Sequence, residues 1–138
     1  DWTLEIFGEG DLKVLLQHKI DTLGLGNTIF LKSVTTHITD EYLNSSVFVL
    51  PSKYEGLPLV LMEAMECGLP AGAFKCKCGP RDLIEDGKNG LLVENGDIDG
   101  FDEINGRPGF TERNRFGSKT KYGGIYRGEY HEEMGGTV

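Results

Sequence analysis

The stretch from Val47 to Pro70 constrains the fold most, because it joins a buried strand to a buried helix through one short loop. Its first part, Val47 to Leu50, is a short apolar run rich in β-branched and aromatic residues, typical of a strand covered on both faces. Pro58 suits the first position of a helix, and Gly68 suits the left-handed position just beyond the end of one. The pattern therefore predicts a strand, a loop and a helix over about Pro58 to Cys67.

Two glutamates lie around the start of this predicted helix. Glu55 lies in the loop over the carboxyl end of the strand, where open α/β sheets bind ligands. Glu63 lies within the largely apolar helix, about 7.5 Å along its axis from Pro58 at 1.5 Å per residue. The amides and the positive dipole end between them favour a phosphate group. The arrangement suits a sugar nucleotide, and it is equally compatible with two solvated surface charges.

Composition excludes several classes of protein. The 138 residues correspond to about one domain, and the net charge of −8 argues against a nucleic-acid partner, since phosphate backbones need clustered Lys and Arg. No run reaches transmembrane length, and the first residues are no signal peptide. Cys67, Cys76 and Cys78 have neither a disulfide-framework nor a zinc-ligand spacing, so reduced thiols without a metal are predicted.

Strands and helices alternate along the first hundred residues. This alternation predicts an α/β fold with a doubly wound, mostly parallel sheet of about five strands and helices on both faces. The turn from Gly8 to Gly10 is of the kind that brings backbone close to a ligand, but Lys13 stands where a dinucleotide fingerprint needs glycine. The predicted strands are Trp2–Phe7, Thr28–Leu31, Val47–Leu50, Ala71–Phe74 and Leu91–Val93. The other predicted helices are one capped by Asp11 that ends at Leu23, a short one over Thr39–Asn44, and one over Gly79–Glu85.

The character of the chain changes near residue 98. Ten of the 20 glycines follow Glu94, and helical periodicity fades. We therefore predict one domain over residues 1–97 and a Gly-rich tail over residues 98–138 that does not pack as continuous helix. Because the sequence starts without Met and directly at a strand, we expect it to be a piece of a longer protein.

The string from Tyr54 to Pro70, Tyr-Glu-Gly-Leu-Pro-Leu-Val-Leu-Met-Glu-Ala-Met-Glu-Cys-Gly-Leu-Pro, resembles the signature of glycosyltransferase family four, within the glycosyl transferases group 1. In that family two glutamates separated by seven residues open the donor-binding helix, and Glu55 and Glu63 keep that spacing. A second match runs from Gly79 to Val93. The resemblance extends from about Trp2 to Asp97.

The resemblance implies a Rossmann-like, doubly wound parallel sheet that forms the C-terminal, donor-binding half of a GT-B architecture, without its first strand and helix. It implies a retaining enzyme that moves a hexosyl unit from a nucleotide-diphosphate sugar to a polysaccharide or lipid-linked glycan. No metal or other cofactor is implied, since amides and basic side chains neutralise the diphosphate. Glu55 is the implied catalytic residue. The implied donor-binding residues are Gly8, Gly10, Val34, Glu55, Gly56, Leu57, Pro58, Leu59 and Glu63.

The acceptor would bind through an N-terminal domain absent from this chain, which is therefore expected to be inactive alone. The resemblance also implies a cytoplasmic protein, and peripheral association of the full-length protein with the inner face of the membrane is a further expectation. Two alternatives stay open. One is a non-catalytic module that binds nucleotide sugars, and the other is a GT-B-type sugar-nucleotide epimerase, which the glutamate spacing disfavours.

Overall fold

The computed structural model describes residues 2–102 and 124–128. Within this part, six strands form one sheet and four α-helices follow four of them. The strands are β1 (Trp2–Phe7), β2 (Ile29–Lys32), β3 (Val47–Leu50), β4 (Ala71–Phe74), β5 (Gly90–Val93) and β6 (Gly124–Gly128). The helices are α1 (Lys13–Thr22), α2 (Ile38–Leu43), α3 (Leu59–Glu66) and α4 (Pro80–Leu83), with a 3₁₀ helix at Asp99–Asp102.

The sheet has the order β2-β1-β6-β3-β4-β5, and its first five strands in the sequence all run in one direction. β1 is parallel to β2, and β3, β4 and β5 are parallel to one another. Both β1 and β3 pair antiparallel with β6, so they run parallel to each other. The predicted α/β, doubly wound fold is confirmed, and the five predicted strands match within one residue at each end.

β6 is a strand that the sequence analysis did not predict. Gly124 pairs with Ile6 on one side and Val49 on the other, and Gly128 pairs with Trp2. Only three residues lie between the glycines at its two ends, which is a weak strand signal because glycine disfavours strands. Most of the predicted tail lies outside the described residues, so the division at residue 97 stays a prediction.

Two of the apolar clusters of the core lie on opposite faces of β3, because side chains alternate along this strand. α3 packs on one face through Leu61 and Ala64, both fully buried, next to Phe48 and Leu50. On the other face, the cluster consists of Val47, Val49, Phe74, Cys76, Leu91 and Val93. β3 is therefore buried on both faces, as its apolar run predicted, and it holds the loop that follows it on a rigid base.

α1 differs from its prediction. The helix begins at Lys13, with Leu12 at the N-cap position and no side-chain cap hydrogen bond, so the predicted cap by Asp11 is wrong. Asp11 precedes the cap position because the helix starts later than expected. The sequence predicts one packed side for this helix, made of Leu12, Leu15, Leu16, Ile20 and Leu23. Of these five residues only Ile20 is buried. No helix in the described part of the chain has the length and apolar character to span a membrane.

Candidate functional site

The predicted site residues lie in the loops that follow β1, β2 and β3, and in α3. These strands are parallel, so their carboxyl ends meet at one edge of the sheet, where such folds bind ligands. Neighbouring strands lie about 4.8 Å apart, so β1 and β3, on either side of β6, are separated by about 10 Å. Gly124, the first residue of β6, pairs with residues near the ends of both and lies at the same edge.

The start of α3 differs by one residue from the prediction. Pro58 is the N-cap rather than the first helical residue, and it is fully buried. Its carbonyl accepts hydrogen bonds from the amides of Leu61 at 2.9 Å and Met62 at 3.1 Å. Proline fits this position because it has no amide hydrogen that would be buried without a partner.

The first amides of this segment are not equivalent. The Leu59 amide donates to the Leu57 carbonyl at 2.9 Å, so it is already in use. The amides of Gly56, Leu57 and Val60 have no acceptor within residues 2–102 and 124–128. The side chains of Leu57 and Leu59 are 67% and 57% exposed. An anion at this helix end would therefore be bound by the amides of Gly56, Leu57 and Val60 rather than by that of Leu59.

Glu55 precedes this helix start in the chain, and Glu63 lies within α3. Glu63 is half-buried on α3, and its Oε2 atom is fully buried. Glu55 is half-buried in the loop. Burial, and then the negative charge of Glu55, raise the pKa of the buried Cys76 thiol.

Gly8 and Gly10 line a cavity of about 420 Å³ between the end of β1 and α1. A Cβ atom added at either glycine would meet no atom within 4 Å, so protein packing does not require glycine there. The amide of Gly8 donates to the Lys32 carbonyl at 3.1 Å, which joins the ends of β1 and β2. The residues that line the cavity are Ile6, Gly8, Glu9, Gly10, Asp11, Leu12, Lys13, Leu16 and Leu31.

This cavity is not lined by Glu55, Glu63 or Val34. Val34 follows β2 and is 71% exposed, and its role stays a prediction.

At the cavity, the amine of Lys13 lies 3.0 Å from a carboxylate oxygen of Glu9. This hydrogen bond, and then a weaker contribution from one with Ser33, lower the pKa of Glu9.

Three residues outside the predicted site contact the loop that carries Glu55. The Cys76 thiol donates to the Ser52 carbonyl, the Asn95 side-chain amide donates to the Lys53 carbonyl, and Gly79 packs against Pro58. The sequence predicted Cys76 to be a reduced thiol without a metal, and it carried no signal for Asn95.

Metal ligation has no structural basis in the described residues, where no three or more His, Cys, Asp or Glu side chains group together. Cys67, Cys76 and Cys78 form no disulfide bond within the described residues. The metal-independent, cofactor-free activity implied by the resemblance stays a prediction, since the described residues alone do not test it.

The fold and the edge site define a Rossmann-like α/β domain of the kind found in GT-B glycosyltransferases, which are its structural neighbours. The chain belongs to the family described as glycosyl transferases group 1, whose model matches residues 1–104. The resemblance to that group is confirmed, whereas membership of family four and the retaining mechanism stay predictions.

The relatives are much longer than this chain. It is 39% identical over 103 residues to an exopolysaccharide phosphotransferase of Streptomyces coelicolor. The aligned region is 74% of this chain and 11% of that protein. It is 41% identical over 93 residues to a poly(ribitol-phosphate) alpha-N-acetylglucosaminyltransferase of Staphylococcus aureus. The aligned region is 67% of this chain and 19% of that protein. The chain thus spans less than a fifth of the length of these two relatives.

The solved structures of TarM have the same fold as this chain. One crystal structure gives a TM-score of 0.73 at 36% identity, over 79% of this chain and 22% of TarM. A single-residue variant of S. aureus TarM, in complex with Fondaparinux, alpha-GlcNAc-glycerol and UDP, gives a TM-score of 0.69 at 40% identity. The matched region is 72% of this chain and 20% of that one.

Proposed function

We propose that the full-length protein is a retaining glycosyltransferase and that this chain is its donor-binding half. It moves a hexosyl unit from a nucleotide-diphosphate sugar to a polysaccharide or lipid-linked glycan. The observation that carries the proposal is the placement of Glu55 and Glu63 on either side of the α3 start, at the carboxyl end of β3. The TarM variant that binds UDP supports a nucleotide sugar as the donor.

The donor is held along the start of α3. The diphosphate accepts hydrogen bonds from the amides of Gly56, Leu57 and Val60, where the helix dipole is positive. Glu63 lies one to two turns further along the helix and accepts hydrogen bonds from the ribose hydroxyls. Charge-assisted hydrogen bonds of this kind are about twice as strong as neutral ones. Gly8, Gly10 and Val34 complete the donor site from the neighbouring strands.

Glu55 holds the transferred sugar. It lies in the loop before α3, on the other side of the phosphate-binding amides from Glu63. Its carboxylate accepts hydrogen bonds from sugar hydroxyls and orients the anomeric carbon toward the acceptor, which is the positioning on which such transfers depend. The reaction needs no metal, because amides and basic side chains stabilise the charge on the leaving diphosphate.

The acceptor binds through a second domain that is not part of this chain. The 138-residue chain by itself therefore binds the donor weakly and transfers no sugar. The full-length protein is cytoplasmic and associates peripherally with the inner face of the membrane. These parts of the proposal rest on the family resemblance.

One experiment separates this proposal from its alternatives. The full-length protein is incubated with a panel of nucleotide sugars, with and without a glycan acceptor, and the products are followed by NMR. A transferase releases nucleoside diphosphate and forms a glycoside, with the anomeric configuration retained, when the acceptor is present. Altered sugar stereochemistry without acceptor would identify an epimerase. Binding detected by saturation transfer, without any product, would identify a non-catalytic module.

A further inference from the structure

The segment from Ser52 to Pro58, here called the Glu55 loop, is attached to the sheet from one side by a thiol. Cys76, which follows β4, is 1% exposed, and its Sγ atom donates a hydrogen bond to the Ser52 carbonyl at 2.8 Å. The two residues are 24 positions apart in the sequence. The contact therefore fixes the beginning of the loop to the end of the neighbouring strand.

A second side chain holds the next residue of the Glu55 loop. Asn95 follows β5, and its Nδ2 atom donates to the Lys53 carbonyl at 3.2 Å, across 42 positions of sequence. Two consecutive loop carbonyls thus accept hydrogen bonds from the ends of two different strands. Both strands belong to the parallel half of the sheet that also contains β3.

The far end of the loop rests on Gly79. This residue has φ of +89°, and a Cβ atom there would lie 2.7 Å from Cδ of Pro58 and 3.1 Å from the Gly56 carbonyl oxygen. Only glycine lets the backbone after β4 approach the loop this closely. Contacts from outside the loop therefore flank Glu55 on both sides.

The Glu55 loop has little other support. Lys53, Tyr54, Gly56 and Leu57 are exposed, with Tyr54 at 90% and Leu57 at 67%, so apolar burial does not fix the segment between its ends. We propose that Cys76, Asn95 and Gly79 are positioning residues that hold the Glu55 loop and thereby place the Glu55 carboxylate against the transferred sugar. The consequence for catalysis rests on the role proposed above for Glu55.

The hydrogen bond from Cys76 persists at neutral pH. The pKa of the thiol is raised by its burial and by the negative charge of Glu55, so the thiol stays protonated and remains a donor. A thiol is a weak donor, but a serine hydroxyl at the same position offers a stronger one with a similar shape. Cys76→Ser therefore tests the hydrogen bond separately from the volume of the side chain.

The test uses the full-length protein with Cys76→Ala, Cys76→Ser and Asn95→Ala. The matched control is Cys78→Ala, which removes an exposed thiol from the same segment. Hydrogen exchange of the peptide that contains the Glu55 loop is the first measurement, because it does not depend on activity. We expect faster exchange in Cys76→Ala and Asn95→Ala, and near wild-type exchange in Cys76→Ser and Cys78→Ala.

The second measurement is turnover with the donor identified for the full-length protein. We expect kcat to fall on the order of 10- to 100-fold in Cys76→Ala and Asn95→Ala, with affinity for the bare nucleoside diphosphate within about twofold of wild type. Cys76→Ser should recover most of the lost kcat. Unchanged loop exchange in the folded alanine variants would refute the positioning role, as would faster exchange without any fall in kcat. If the protein proves not to be a transferase, the exchange result alone still decides whether these side chains hold the loop.

Discussion

A Cβ atom at Gly79 would lie 2.7 Å from Cδ of Pro58, closer than real Cβ atoms approach a neighbour. The two residues belong to different strand-helix units, since Gly79 precedes α4 and Pro58 precedes α3. The ring of Pro58 cannot move away without moving the start of α3. The contact therefore couples the geometry of the two helix starts.

The first prediction follows from this contact. Gly79→Ala should destabilise the protein by more than about 2 kcal/mol, since it adds a steric clash to a left-handed backbone that already costs an L-residue about 1–2 kcal/mol. The matched control is Gly87→Ala, because Gly87 has φ of +77° but open space around its Cβ position. The control should lose only the backbone contribution. Urea unfolding of both variants measures the difference, and equal losses would contradict the clash.

The second prediction concerns Glu63. Glu63→Ala in the full-length protein should weaken binding of the nucleoside diphosphate by about 1.5–3 kcal/mol, the contribution of a hydrogen bond to a charged group. Glu66→Ala, which removes an exposed carboxylate from the same helix, is the control and should leave the affinity unchanged. Isothermal titration calorimetry gives both values. An unaltered affinity in a folded Glu63→Ala protein would remove Glu63 from the site.

The third prediction separates the two ends of the donor. Glu55→Gln should reduce kcat while binding of the bare nucleotide stays nearly intact, because the role proposed for Glu55 is to hold the transferred sugar and not the nucleotide. Turnover and nucleotide titration of the same preparation test this. Equal losses in both would place Glu55 at the nucleotide end instead.

The fourth prediction is a pH dependence. The pKa of the Cys76 thiol is raised in the folded protein, so folding favours its protonated form. The stabilisation is fully present below the ordinary thiol pKa of about 8.5 and is lost as the pH rises through the higher folded pKa. The unfolding free energy of the wild type should therefore fall more steeply above about pH 8.5 than that of Cys76→Ser. Parallel pH profiles for the two proteins would contradict the shift.

The sequence predicted the parts of the fold that local pattern determines. Val47–Leu50 is a short run rich in β-branched and aromatic residues, and β3 has the predicted bounds. Ala71–Phe74 is a weaker strand pattern, and β4 also has the predicted bounds. The start of α3 was off by one residue, because Pro58 suits both the cap and the first helical position. Asp11 failed as a cap for a similar reason, since several positions of that turn could open a helix.

Contacts between distant segments were not predictable in the same way. The hydrogen bond from Cys76 to Ser52 depends on the register of β3 against β4, and the bond from Asn95 to Lys53 depends on β5 as well. No local pattern carries that information. The spacing of Glu55 and Glu63 is visible within one segment of the sequence, and the role of both residues stays a prediction from the family resemblance.

β6 has a consequence for how the sheet assembles. Within the described residues, β1 and β3 do not pair with each other, and β6 joins the β2-β1 half to the β3-β4-β5 half. The partner of Gly124 on β1 is Ile6, so this junction closes a loop of more than a hundred residues. Such distant pairing is slow to form, because the entropy of loop closure is lost before the contacts are gained. On the ribosome, the two parallel halves therefore stay unjoined until Gly124–Gly128 has been synthesised.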